Sequence, residues 1–252
     1  MFASRGGFNY IAIPTTTFGN SAYWSSSSNT SYYLSATSTT NMIQWKATTG
    51  YTIEYWIYPT AWPATINPGP GNHNAGSTNY WSLGPITNGV LEFYYWAPGQ
   101  VKITTANSAL SLNTWQNISM VSTTSGSNTT ISMYVNGTRQ QIKVGSGSLA
   151  DTQTVANGVI STSTPFRFGA YGLNKFTDLY FDNLRVSNID RYSGSSYTLA
   201  TGPFTDDANT QLIITCDGAN GNTTFTDTSS FATTITNNGN YVYISNAKNN
   251  HS

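Results

Sequence analysis

The sequence predicts an all-β chain folded as two antiparallel sheets packed face to face. Three observations carry this. No window places apolar residues at helical spacing among helix formers. Short β-branched and aromatic runs recur from end to end, separated by Gly, Asn, Ser and Pro. Two Asn-Gly pairs, Asn88-Gly89 and Asn136-Gly137, sit between such runs, where a tight turn needs positive φ at both positions.

Taken in order, residues 1–19 form a Gly- and Thr-rich arm with the apolar anchors Phe2, Phe8, Tyr10 and Ile11. Such a segment needs a neighbour to dock against, so it is read as a docking arm ahead of one domain over 20–252. Residues 31–39 read as a strand. Residues 51–63 read as the strongest one, with Tyr51, Ile53, Tyr55 and Ile57 on one face and Thr52, Glu54, Trp56 and Tyr58 on the other. Large side chains on both faces predict a central strand covered on both sides, ended by Pro59 and Pro63. A long loop follows over 63–79, then hairpin units over 80–96 and 110–140. Further strands are expected at 101–106, 164–171, 176–192, 210–218 and 241–245, giving ~12–14 in all at the usual strand length.

Composition excludes several function classes. The 252 residues carry 10 Lys+Arg and 10 Asp+Glu, a net charge of zero. Charged residues are 8% of the chain, against roughly 25% in an average domain. Nothing in this balance attracts nucleic acid or an anionic membrane. No stretch approaches the ~20 apolar residues of a membrane helix. No signal-peptide core follows Met1, so synthesis in a host cytoplasm is expected. A surface of Ser, Thr, Asn and Gly with so few charges suits a protein held inside an assembly. Cys216 is the single cysteine, so no intrachain disulfide can form, and His73 and His251 are the only histidines.

In order and spacing, the segments "YTIEYWIYPT" (51–60), "LSLNTWQNISMV" (110–121), "ISMYVNGT" (131–138), "PFRFGAY" (165–171), "FDNLRVSNIDRY" (181–192) and "PFTDDANTQLIITCDGANGNTTFTDTSS" (203–230) resemble the laminin-G-like, concanavalin-A-like jelly roll. The pattern is similar to versions found on bacteriophage fibres and particle surfaces. The resemblance implies a two-sheet jelly-roll sandwich and a virion-surface protein, either capsid decoration or a short fibre or spike. Its implied partners are phage coat or tail proteins, copies of itself (a trimer is expected) and a host surface glycan. One departure stands out. The 203–230 segment commonly opens such a domain and here lies near the end, so the fold closes with a C-terminal strand or swaps it into a neighbour.

The family also includes glycosidases, so the acidic residues decide the chemistry. Hydrolysis needs two carboxylates facing across a cleft. The only glutamates, Glu54 and Glu92, stand alone on their strands, and no Glu-x-Asp-x-Glu pattern occurs. A Ser/His/Asp site needs a positioned histidine, and none is offered. The chain is therefore expected to be non-enzymatic and to need no cofactor. The resemblance leaves Ca2+ open, with Asp178, Asp182, Asp206, Asp207 and Asp217 as candidate ligands, although no Asp-x-Asp-x-Asp loop exists. Asp206-Asp207 reads as turn chemistry. Asp182 is placed by alternation on the face of Leu184 and Val186, and the resemblance implies a structural anchor there. Sugar binding needs rings beside amides and hydroxyls. The candidates are Trp62, His73 and Tyr80 around the long loop, with Tyr94 and Trp96 at the end of the adjacent strand. A carbohydrate-binding tip of a tail fibre is the alternative function.

Overall fold

A computed structural model describes residues 18–24, 33–37, 40–46, 50–63, 69–72, 80–96, 99–156, 165–171, 174–175, 179–240 and 242–248. The arm anchors Phe2, Phe8, Tyr10 and Ile11 lie outside these residues, as do His73 and Asp178. The first strands are β1 (Ser21–Trp24), β2 (Tyr33–Ala36), β3 (Gly50–Pro59), β4 (Trp81–Ile86), β5 (Val90–Trp96) and β6 (Gln100–Thr105). Next come β7 (Gln116–Ser125), β8 (Asn128–Val135), β9 (Thr138–Arg139), β10 (Ile142–Val144), β11 (Gln153–Ala156) and β12 (Phe166–Phe168). The last are β13 (Ala170–Tyr171), β14 (Asn174–Lys175), β15 (Leu179–Ser187), β16 (Thr210–Ile214), β17 (Ile235–Asn238) and β18 (Val242–Ser245). Several are only two to four residues long, which explains why the strand count exceeds the sequence expectation.

The strands form the expected antiparallel sandwich. The first sheet runs β11-β8-β7-β3-β15-β1-β18, with β16 added beside β15 and β9 beside β8. The second runs β10-β6-β5-β4 and continues through Gly71, which bridges Ser82 of β4 and Arg167 of β12, into β12-β2-β17. Two bonds seat this link on β12: Gly71 N–H to the Arg167 carbonyl at 2.9 Å and Arg167 N–H to the Gly71 carbonyl at 2.7 Å. The C-terminal strands β16 and β18 both join their own chain, on β15 and β1.

Strand β3 is central, as its composition predicts. Tyr51, Ile53, Tyr55 and Ile57 enter the core between the sheets, and Thr52, Glu54 and Trp56 are buried on the opposite face. The core is largely aromatic, and its polar tips are used. The Tyr55 hydroxyl donates to the Leu83 carbonyl of the other sheet at 2.8 Å. The Tyr51 hydroxyl and the Trp81 indole donate to the Met42 and Ile43 carbonyls at 2.8 and 2.7 Å. Those carbonyls lie in a single helical turn, α1 (Thr40–Ile43), which has no counterpart in the sequence reading. One turn is too short to show helical periodicity.

The turns follow the Asn-Gly signals. Asn88 (φ 60°, ψ 26°) and Gly89 (φ 67°) join β4 to β5, and Asn136 (φ 49°) and Gly137 (φ 73°) join β8 to β9.

Candidate functional site

The outer face of the first sheet is closed by its own chain. Arg185 pairs across strands with Glu54, and its guanidinium places Nε at 2.9 Å and one Nη at 2.7 Å from one Glu54 oxygen. The Tyr192 hydroxyl donates to the other oxygen at 2.7 Å. Tyr192 stacks on Tyr197 with centroids 3.6 Å apart and planes 5° apart. The Tyr197 hydroxyl donates to Asn117 Oδ1 at 2.6 Å and lies 3.0 Å from Ser119 Oγ. Burial, and then the Glu54 charge, raise both phenols, so they stay protonated donors. The segment beyond β15 is also clamped near its start by Arg191, whose two terminal nitrogens meet the Asp207 oxygens at 2.8 and 2.9 Å. Glu54 is 1% exposed, with both oxygens engaged.

Phe18, inside the stretch read as arm, belongs to the same face. It packs with Trp56 and Trp115, its ring centroid 5.5 Å from that of Trp56.

Asp182 sits at a bulge that alternation alone does not reveal. The β15–β3 register shifts between Asp182 and Arg185, and Asn183 takes φ 51°. Asp182 therefore pairs with Trp56 on the outer face, whereas Leu184 and Val186 enter the core. This corrects the expectation that the three share a face. Asp182 is nevertheless buried, and one oxygen accepts the Asn183 N–H at 2.7 Å. Desolvation, then the neighbouring Asp217 charge, push its carboxyl well above the usual range, while the Asn183 N–H and the Cys216 thiol oppose the shift. Asn183 itself binds the returning segment, accepting the Phe204 N–H at 2.9 Å.

The remaining candidate calcium ligands are dispersed. Asp206 accepts the Ser230 N–H at 2.9 Å, and Asp207 accepts the Asn209 N–H at 2.9 Å beside its Arg191 pair. The Asp207 bond is local turn chemistry, whereas Asp206 ties to a segment 24 residues downstream rather than to its own turn. Among the described residues no three His, Cys, Asp or Glu side chains gather in a way that could hold a metal.

The outer face of the second sheet collects three of the five residues singled out for sugar binding. Residues Val90, Glu92, Tyr94 and Trp96 of β5 alternate away from the core, since Leu91, Phe93 and Tyr95 point into it. Tyr80 and Trp96 lie nearly parallel, 25° apart with centroids 6.4 Å apart, and the Tyr80 and Tyr94 hydroxyls meet at 3.1 Å. Tyr80 is 5% exposed and Tyr94 9%, so Trp96 is the ring of this group that solvent reaches most. Trp62 is elsewhere, half-buried against the main core. The Lys102 ammonium lies 5.9 Å from the Tyr94 ring and 4.0 Å from Glu92. Burial raises the Glu92 carboxyl, with Lys102 opposing. Glu54 and Glu92 thus belong to the outer faces of different sheets.

A hollow missed by the sequence reading opens on the same face at the β4–β5 turn. Its lining includes Val90, Thr104 and Lys143, and its volume is about 630 Å³. Only the Asn88-Gly89 turn could have signalled it.

The family model for the concanavalin A-like lectin/glucanases superfamily matches residues 27–192. The chain belongs to this superfamily. No curated protein matches the sequence. Among solved structures, this superfamily member is similar to a candidate carbohydrate-binding protein from Bacteroides ovatus. The identity is 16% and the TM-score 0.51, over 93% of this chain and 60% of that one. It is also similar to domains LG4-5 of the mouse laminin alpha1 chain, at 14% identity and TM-score 0.42, over 71% of this chain and 47% of that one. A third is the CBM40 of the Ruminococcus gnavus IT-sialidase bound to α2,3-sialyllactose, at 9% identity and TM-score 0.45, over 71% and 94%. The chain spans under two thirds of the laminin and Bacteroides proteins. At these identities the likeness is one of fold.

Proposed function

We propose that this chain is a non-enzymatic protein displayed on the surface of a bacteriophage particle, as capsid decoration or a short fibre or spike, where its sandwich holds host glycans. The observation that carries the binding half is the fate of Glu54. The superfamily includes hydrolases, but here the carboxylate is sealed under Tyr192 with both oxygens occupied. Glu92 lies on the other sheet, so the two glutamates make no facing pair for hydrolysis. What the second sheet offers instead is Trp96 with Tyr80 and Tyr94 beside the Lys102 ammonium, the mixture that glycan recognition uses.

Support for the particle half comes from composition and from the order of the sequence segments. Zero net charge and 8% charged residues leave a surface poorly protected when free and suited to an assembly. Residues 1–17, with Phe2, Phe8, Tyr10 and Ile11, would anchor the subunit to a coat or tail protein, and copies of the chain would associate symmetrically, as a trimer.

The test is the copy number of this protein in purified particles of the phage whose genome encodes it, relative to the major coat protein. Hundreds of copies mean decoration, and a handful to a few dozen mean a fibre or spike. Complete absence sinks the virion reading.

A further inference from the structure

The geometry points to the hollow at the β4–β5 turn as a binding site for the end of a glycan that carries a carboxylate, that is, an acidic sugar of the hexuronic or sialic type. The inference rests on the glycan-binding reading above and names its ligand class.

Register builds the site. Lys143 of β10 pairs with Thr104 of β6, which pairs with Glu92 of β5, so all three point outward from the second sheet. Val90, two residues before Glu92, points the same way and floors the hollow at 7% exposure. Leu149, 42% exposed, supplies an apolar wall. A pyranose has one such need on its C–H face and another at its hydroxyls. The hydroxyls would meet Asn88 and Asn107, both exposed and both lining the hollow. Among the described residues neither amide side chain has a hydrogen-bond partner, and Lys143 has neither an ion pair nor a ring beneath it. Among the described residues of the lining Lys143 is the single charged one, so the charge complementary to this hollow is negative.

The frame around these side chains is already fixed. The Ser108 N–H donates to the Asn88 carbonyl at 2.9 Å, the Leu110 N–H to the Gly89 carbonyl at 2.8 Å, and the Leu91 N–H to Thr105 Oγ1 at 3.0 Å. Gly89 holds φ 67°, and a Cβ there would lie 2.3 Å from the Leu110 carbonyl oxygen. Ligand binding therefore orders side chains rather than backbone, which keeps its entropic cost low.

The experiment is a titration of the isotope-labelled full chain with the methyl glycosides of N-acetylneuraminic acid, glucuronic acid and glucose, followed by amide NMR. The expected result is saturable shifts at Asn88, Asn107 and Leu149 with an acidic glycoside. Its affinity should fall about ten-fold in Lys143→Gln, the loss of one charge-assisted contact, and should weaken with added salt. Leu149→Ala should weaken it too, with an unchanged spectrum elsewhere. Two results overturn the inference and leave the broader glycan reading standing: equal binding of the glucose glycoside, or shifts centred on Trp96 and indifferent to Lys143→Gln. The absence of saturable binding by all three glycosides overturns the inference as well. The glycan reading then falls only if host-surface polysaccharide also fails to bind.

Discussion

At Glu54 three donor atoms converge on one buried carboxylate, so truncating it does more than delete a contact. Glu54→Ala leaves the Arg185 guanidinium, 11% exposed, without its counter-charge. A loss of about 3 kcal/mol in unfolding free energy is expected, the usual cost of breaking a buried pair from one side. Tyr192→Phe removes the short bond to Glu54 and a long one from Arg185 at 3.5 Å, and should cost only about 1 kcal/mol. Urea midpoints with unchanged slopes would check both. Asp182 and Asp207 give opposite pH dependences. Asp182 holds its proton to higher pH in the folded state than in the unfolded one, so its contribution is present below the ordinary carboxylate value of about 4 and is lost as pH rises through the folded value. Asp207 is held low by its Arg191 bonds, so its contribution is present above that value and is lost as pH falls. In Asp182→Asn, melting temperature should therefore decline less between acid and neutral pH than in the parent chain. An unchanged profile would place the proton elsewhere.

At the scale of elements, β3 and the two Asn-Gly turns were legible because their signals are local: alternation, β-branching and the need for positive φ. The bulge at Asn183 was not. One extra residue inverts the alternation of everything after it, and no residue type in Phe181–Val186 announces that. Tyr192 and Tyr197 were likewise invisible as a cover. Their partners Glu54, Asn117 and Ser119 lie 78 to 138 residues away in sequence, beyond any periodicity argument. Aromatic enrichment around Tyr80 and Trp96 was readable, but not which rings would be buried. Gly169 is another position that only packing explains. It follows β12 with φ 111°, and a Cβ there would lie 2.4 Å from the Trp24 ring. Trp24 is wedged between Phe168 and Phe181 at 4.8 and 4.6 Å, so it has little room to yield. Gly169→Ala should destabilise the fold by about 2–3 kcal/mol from overpacking and backbone strain, read as a lower melting temperature.

For the whole molecule, six Lys and Arg side chains among the described residues lie over aromatic rings: Lys46, Lys102, Arg139, Arg167, Arg185 and Lys248. Much of the scarce charge is thus placed against ring faces rather than spread over the surface. Removing residues 1–17 while keeping Phe18, which packs on Trp56, should abolish attachment to particles and leave the circular-dichroism spectrum and melting temperature unchanged. Retained attachment would show that another surface docks.

Strand β1 lies between β15 and β18: Ala22 is opposite both Phe181 and Ile244. The earliest described strand therefore has no partner until β15, far downstream, has been made, and no second one until β18 follows. The local ribbons β4–β5–β6 and β7–β8 can zip early, but the sheet that holds β1 waits for segments about 160 and 220 residues downstream, a topology that slows folding. Intermediates in which β1 is unpaired would expose Trp24 and an open edge of β15, so the interval before β1 and β18 dock is when this chain is most exposed to aggregation.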